Sequence, residues 1–153
     1  MDLADLAVER FKQGYSCSQA VFSVCAERRG VDRDLALRIA AGFGGGLART
    51  GQTCGCITGA IMVIGLAQRS VSPEENRTEK DKTYEAGRRF MGKFAERTGY
   101  TLCRDLLGCD ISTPAGFEQA RQNDLFQSRC RQFVRYAVEA VEEVLSGAPS
   151  QAG

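Results

Sequence analysis

The stretch CRQFVRYAVEAVEEVL, residues 130–145, decides the fold class. Cys130, Phe133, Val134, Ala137, Val138, Val141, Val144 and Leu145 recur every three or four positions. That is the spacing of one face of an α-helix. Charged residues fill the other faces, and the reading predicts a final helix over roughly 127–145.

Upstream, the period of 3.6 recurs and no good run of two-residue alternation is found. Residues 2–12 form a first amphipathic helix with Leu3, Leu6, Ala7 and Phe11 on one face. Ser16 with Gln19 three residues on reads as a capping box, opening a helix with Cys17, Val21, Val24 and Cys25 on one face that stops at Gly30. Asp32 or Asp34 caps a third helix, with Leu35 and Ile39 expected inward. Thr53 is the expected cap of the helix from Cys54 to Ala67. This helix is apolar on nearly all sides, so it belongs at the centre of the fold. Gly55 and Gly59 share one of its faces and let another backbone come close. Ser72-Pro73-Glu74-Glu75 starts a long helix with Tyr84, Gly87, Met91 and Phe94 on one stripe, ending at Gly99. Thr101 is the expected cap of a short helix containing Cys103, Leu106 and Leu107, closed by Gly108. Thr113-Pro114 opens another, through about Arg121. The expectation is therefore an all-α, single-domain bundle of about six to seven helices around a central apolar helix. The domain spans residues 1–146, with a disordered tail at 147–153.

The net charge is +1, and the basic residues are scattered, so neither nucleic acid nor an acidic membrane is indicated as a partner. The longest apolar run, residues 56–67, is shorter than the roughly 20 residues of a membrane span. No secretory signal is visible, and the expected compartment is the cytoplasm.

The chain has seven cysteines and no histidine. An odd number rules out complete internal pairing, and a reducing compartment disfavours structural disulfides. The missing histidine removes Cys-His and Ser-His-Asp catalysis and every His-containing metal site. The cysteines are then buried hydrophobes, metal ligands or redox groups. Cys17 follows Ser16, Cys54 follows Thr53, Cys103 comes two residues after Thr101, and Cys130 lies near the start of the last helix. Free N–H groups and partial positive charge at a helix start favour a thiolate over a thiol. If these ends converge, they make a pocket suited to thiolates, an anionic cluster or a reactive sulfur.

Plain packing is the competing reading. Free cysteine is among the most buried residue types. Cys25 and Cys130 lie on apolar stripes, while Cys56 and Cys109 have no supporting pattern and read as packing residues. There is no Cys-x-x-Cys pair to mark a structural zinc site. Cys54-Gly55-Cys56 could chelate only if the first helical turn were irregular, because alternate helical positions point apart. The glycine-rich stretch from Gly42 to Gly51 is preceded by no strand and followed by no Gly-Lys-Ser/Thr. It reads as a tight turn with close backbone approach, not a phosphate loop. Glu74, Glu75, Glu79 and Asp81 read as a polar helix start, not a metal site.

Taken in order, Cys17-Ser18-Gln19-Ala20, Gly42-Phe43-Gly44-Gly45-Gly46, residues 54–60 (CGCITGA), residues 103–108 (CRDLLG) and the Cys130 helix resemble the redox-active protein family named for the C_GCAxxG_C_C pattern. The resemblance covers about residues 15–145, and it places the family's four hallmark cysteines on Cys17, Cys54, Cys103 and Cys130. Cys56 stands where the family usually has Ala.

The expected function is redox chemistry at a four-cysteine site, with Cys17, Cys54, Cys103 and Cys130 as catalytic or metal-ligating residues. Two mechanisms compete. The four thiolates hold an iron–sulfur cluster that passes electrons, or pairs of thiols cycle through disulfides. The wide spacing leans slightly towards the cluster. An alternative of another class is a soft-metal protein that binds or senses zinc or copper(I) without electron transfer. A third is an interaction module whose cysteines only pack. The redox partner, the substrate and the oligomeric state stay open.

Overall fold

The computed structural model describes residues 1–147. The structure is 71% helical, with eight α-helices and, among the described residues, no strand. The helices are α1 (Leu3–Lys12), α2 (Cys17–Glu27), α3 (Arg33–Ala40), α4 (Gly55–Leu66), α5 (Pro73–Thr98), α6 (Cys103–Leu107), α7 (Pro114–Gln122) and α8 (Arg131–Leu145). A 3-10 turn, Ala41–Phe43, follows α3, and a π-turn, Phe126–Cys130, runs without a break into α8. Residues 148–153, most of the expected tail, lie outside the described residues.

Most helix starts follow the local signals. Ser16 accepts from the Gln19 N–H while the Gln19 side chain accepts from the Ser16 N–H, the reciprocal pair expected of a capping box. Asp32, not Asp34, caps α3. Ser72 caps α5 ahead of Pro73, and Thr113 caps α7 ahead of Pro114. Gly99 and Gly108 close α5 and α6 as read.

α4 is the hub, packed against α2, α5 and α8. Gly55, Cys56, Ile57, Gly59, Ala60, Val63 and Ile64 are all buried along it. Its approach to α2 is set by two missing side chains. A Cβ on Gly55 would stand 2.9 Å from the Ser18 backbone nitrogen, and one on Gly59 would stand 3.0 Å from the Ser18 carbonyl oxygen. α2 answers with small residues and the buried hydroxyl of Ser18, which donates to the Ala40 carbonyl at 2.9 Å. Gln19 donates to the Leu37 carbonyl, so two α2 side chains satisfy carbonyls at the end of α3. On the far side, Phe94 meets Phe90, Phe133 and Tyr136 at ring separations of 6.0–6.3 Å, which seals α5 onto α8.

Several inward faces differ from those read off the sequence. α1 buries Ala4, Ala7, Val8 and Phe11, and Leu6 is exposed. α3 buries Ala36, Leu37 and Ala40, leaving Leu35 51% and Ile39 47% exposed. α5 buries Gly87, Phe90 and Phe94, with Tyr84 and Met91 outside. The cause is shared: close helix contacts here select small side chains, so the largest apolar residues do not always mark the inner face. The Ala36–Ala40 edge of α3 is narrow enough to lie against α2.

Two glycine substitutions separate packing from helix propensity. Gly92 lies in α5 with no heavy atom within 4 Å of a Cβ built on it, so Gly92→Ala should gain about 0.5–1 kcal/mol. Gly59→Val should lose about 1–3 kcal/mol or more, because its branches must displace Ser18 and Val21. Urea denaturation of both variants checks the opposite signs.

Candidate functional site

A cavity of about 370 Å³ opens where the starts of α2, α4 and α6 meet the loop 44–53 and the π-turn before α8. Cys17, Cys54, Cys103 and Cys130 all line it. Around them stand Phe11, Tyr15, Phe117, Phe126 and Phe133, and among the described residues the one charged lining residue is Arg49. The four cysteines singled out in the sequence are thus brought to one place. Cys25 lies outside the cavity on α2, beside Arg29 and Glu142. Cys109 is half-buried and does not line it either.

The local geometry corrects the expected caps. Cys17 is the first residue of α2 after the Ser16 cap, as read. Cys54 is itself the cap of α4, with φ −54° and ψ 136°, and makes no side-chain cap hydrogen bond. Thr53 is instead bridged to Leu102, which caps α6 in place of Thr101. Cys130 is not at a helix start, because the π-turn continues directly into α8. Only Cys17, Cys54 and Cys103 therefore sit at helix beginnings.

A short backbone ladder brings Cys54 and Cys103 side by side. The Cys54 N–H donates to the Thr101 carbonyl at 2.9 Å, and the Cys103 N–H donates to the Gln52 carbonyl at 2.6 Å. The Arg104 N–H donates to Gly51, and the Arg104 side chain repeats that contact. The glycine-rich loop lies over this ladder. A Cβ on Gly46 would stand 2.5 Å from the Gln52 nitrogen and 2.7 Å from the Cys103 Cβ. The close backbone approach read from the sequence is present there.

Cys56 was read as a packing residue, and the structure places it against the thiol cluster. It is fully buried, and its acidity is shaped by the neighbouring Cys17 and Cys54. The objection that alternate helical positions point apart does not hold, because Cys54 lies outside the helix. The departure from the family's usual Ala was the one sequence signal for it. Arg49 had no signal, since its position depends on the loop path.

The thiols differ in acidity for identifiable reasons. Cys17 is held well below the usual thiol value, chiefly because the Cys130 and Cys56 thiols donate to its sulfur, against the cost of burial. Its place at the start of α2 agrees with this. Cys130 is pushed far up, because its proton is shared with Cys17 and because it is buried. Burial, then donation to Cys17 and Cys54, raises Cys56. Burial, then the nearby charges of Cys54 and Cys17, pushes Cys103 up to about 12. Burial and Glu142 push Cys25 up to about 12. Of these five thiols, Cys17 alone is lowered.

The chemistry of the donor set is soft, as an iron–sulfur or other thiophilic group requires. Its arrangement does not fit a single ion: among the described residues, no three or more Cys, Asp or Glu are grouped to hold one. Among the same residues, no helix is long and apolar enough to cross a membrane. The family described as "Putative redox-active protein (C_GCAxxG_C_C)" matches residues 15–144. No curated protein and no solved structure matches the chain.

Alkylation reads the acidity order directly. As pH falls from 9 to 6, below the ordinary thiol value of 9.0, Cys17 should keep labelling with iodoacetamide because its lowered pKa preserves the thiolate. Cys25 and Cys103 should stay unlabelled across that range, because raised pKa values keep them protonated. Peptide mass spectrometry of the reduced, folded protein gives the rates. Equal labelling of Cys17 and Cys25 at pH 7 would refute the order.

Proposed function

The chain belongs to the redox-active C_GCAxxG_C_C family, and on that premise we propose that it is a thiol–disulfide exchange protein with Cys17 as the attacking sulfur. One observation carries the reading: Cys17, Cys54, Cys103 and Cys130 line one cavity, and Cys17 is held well below the usual thiol value there.

The exchange balances as follows. The Cys17 thiolate attacks one sulfur of a disulfide RSSR, forming a Cys17–SR bond and releasing RS⁻. Cys130 loses its proton to the departing thiolate and attacks the Cys17 sulfur. That step forms the Cys17–Cys130 disulfide and releases the second RS⁻, which takes up a proton. Two protein thiols have been oxidised and one disulfide reduced to two thiols. A dithiol reductant runs the sequence backwards. Cys56 supports it by donating to the Cys17 thiolate and so favouring its ionisation. Cys54 and Cys103, paired by the ladder, form the second dithiol to which the disulfide passes by a further exchange.

The lowered pKa of Cys17, with no metal-holding group among the described residues, supports exchange over the cluster that the spacing alone favoured. Were a cluster held, Cys17, Cys54, Cys103 and Cys130 would be its ligands and would supply one-electron transfer.

Serine variants test the assignment. Cys17→Ser should release no thiol from a small disulfide. Cys130→Ser should stop at a mixed disulfide on Cys17, visible as added mass. Cys54→Ser should leave the first disulfide intact and block its passage onward, with a fold cost of at most about 1–3 kcal/mol. Cys25→Ser, the control, should keep exchange and lower only stability. Anaerobic purification, with absorbance spectrum and metal analysis, decides the alternative. Stoichiometric iron lost in Cys17→Ser and Cys54→Ser would overturn the exchange reading.

A further inference from the structure

Residues 45–49 carry an unusual backbone. Gly45, Gly46, Leu47, Ala48 and Arg49 all have positive φ, between 51° and 72°. Leu47, Ala48 and Arg49 are not glycines, and each costs about 1–2 kcal/mol in this left-handed conformation. Three wide backbone hydrogen bonds hold the turn: Ala48 to Gly42, Gly51 to Gly45 and Gln52 to Gly46, at 2.9–3.1 Å. Strain of this kind persists where surrounding structure demands it, and it concentrates at functional sites.

The turn delivers one side chain to the thiol cavity, that of Arg49. Its guanidinium carbon lies 4.4 Å from the centroid of Phe117. Phe117 in turn packs on Phe126 of the π-turn that leads to Cys130, with ring centroids 5.6 Å apart. Stacking fixes the plane of the guanidinium and leaves its N–H groups for another partner. Among the described residues, no carboxylate or other acceptor is paired with it. No acidic side chain lines the cavity, and most of the wall is apolar. A cavity of this size takes a small molecule, and a planar cation beside an apolar wall recognises a carboxylate.

From this arrangement we infer that Arg49 is the specificity residue of the cavity, and that the disulfide it admits is small and carries a carboxylate. The inference rests on the exchange reading above and adds the substrate class. The carboxylate pairs with the Arg49 guanidinium, the carbon chain lies along the Phe117 and Phe126 side, and a sulfur is presented to Cys17. The bond changes are those already given, with RS⁻ a carboxylate-bearing thiolate. Arg49 takes no part in them and selects and orients the molecule.

The test uses three disulfides of similar length and different charge: 3,3′-dithiodipropionate, bis(2-hydroxyethyl) disulfide and cystamine. Each is mixed with the reduced full chain, and the release of thiol is timed. Wild type should react faster with the dianion than with the neutral compound, and slowest with the cation. In Arg49→Gln the anionic-to-neutral rate ratio should fall about tenfold or more, the loss of one charge-assisted contact. Arg49→Lys should recover part of the ratio, as a cation without the planar fork. Arg38→Gln, at an exposed position of α3, should leave the ratio unchanged. A wild-type ratio near one, or an Arg49→Gln ratio equal to wild type, would overturn the role of Arg49 while leaving exchange at Cys17 standing. If Arg49→Gln slows all three probes alike, the residue only seats the loop and the inference fails. If wild type reacts with none of them, the exchange reading fails and this inference with it. Circular dichroism of the Gln and Lys variants confirms that the turn's strain has not unfolded them.

Discussion

Ser18 has no room beside it for any side chain on α4. Its nitrogen and carbonyl face the two glycines of that helix at distances where even a methyl group would have to push the backbone away. Everything at the site depends on this contact. It carries the start of α4 up against the start of α2, so that Cys54 and Cys56 reach Cys17. It also fixes the depth of Ser18, whose hydroxyl holds the end of α3 and hence the origin of the glycine-rich loop. A helix with a larger residue at either glycine would pack farther out, and the thiol contacts would open.

A second constraint closes the site from the other side. The ladder between residues 51–54 and 101–104 gives Cys54 and Cys103 a common frame although neither belongs to the other's helix. It spends the N–H groups of both cysteines on backbone carbonyls. The ordering of acidity follows from which thiol accepts: Cys17 is lowered by Cys130 and Cys56, those two are raised in turn, and Cys103 is raised by burial and by the nearby charges of Cys54 and Cys17. A buried charge is tolerated only where donors surround it, and Cys17 has them.

The apolar character of the cavity has a chemical consequence. Phe11, Phe117, Phe126 and Phe133 exclude water from much of its wall. The exposed Arg49 guanidinium is held against Phe117 at the edge of this wall. The cost of holding Leu47, Ala48 and Arg49 left-handed is then intelligible as the means of placing that charge, with the wide hydrogen bonds of the loop offsetting part of it.

Helix content, the main caps and the central place of α4 were legible in the sequence, because they depend on neighbours three or four residues away. The Ser16–Gln19 box, the Ser72-Pro73 start and the all-round apolar face of residues 56–67 are local facts. So was the convergence of Cys17, Cys54, Cys103 and Cys130 on one cavity, through the family pattern and partly through position. The inner faces of α1, α3 and α5 were only half legible, since burial there follows small residues suited to close contact, not large apolar ones. The cap of α4 moved by one residue because Thr53 is drawn into a bridge with Leu102, a partner far along the chain that no local signal announces. For the same reason, the positions of Cys56 and Arg49 at the site were decided by tertiary structure. One depends on a cap lying outside the helix, the other on a left-handed turn imposed by long-range contacts. Sequence determines what each short segment prefers, and the packing of distant segments decides which sulfurs touch and which charge faces them.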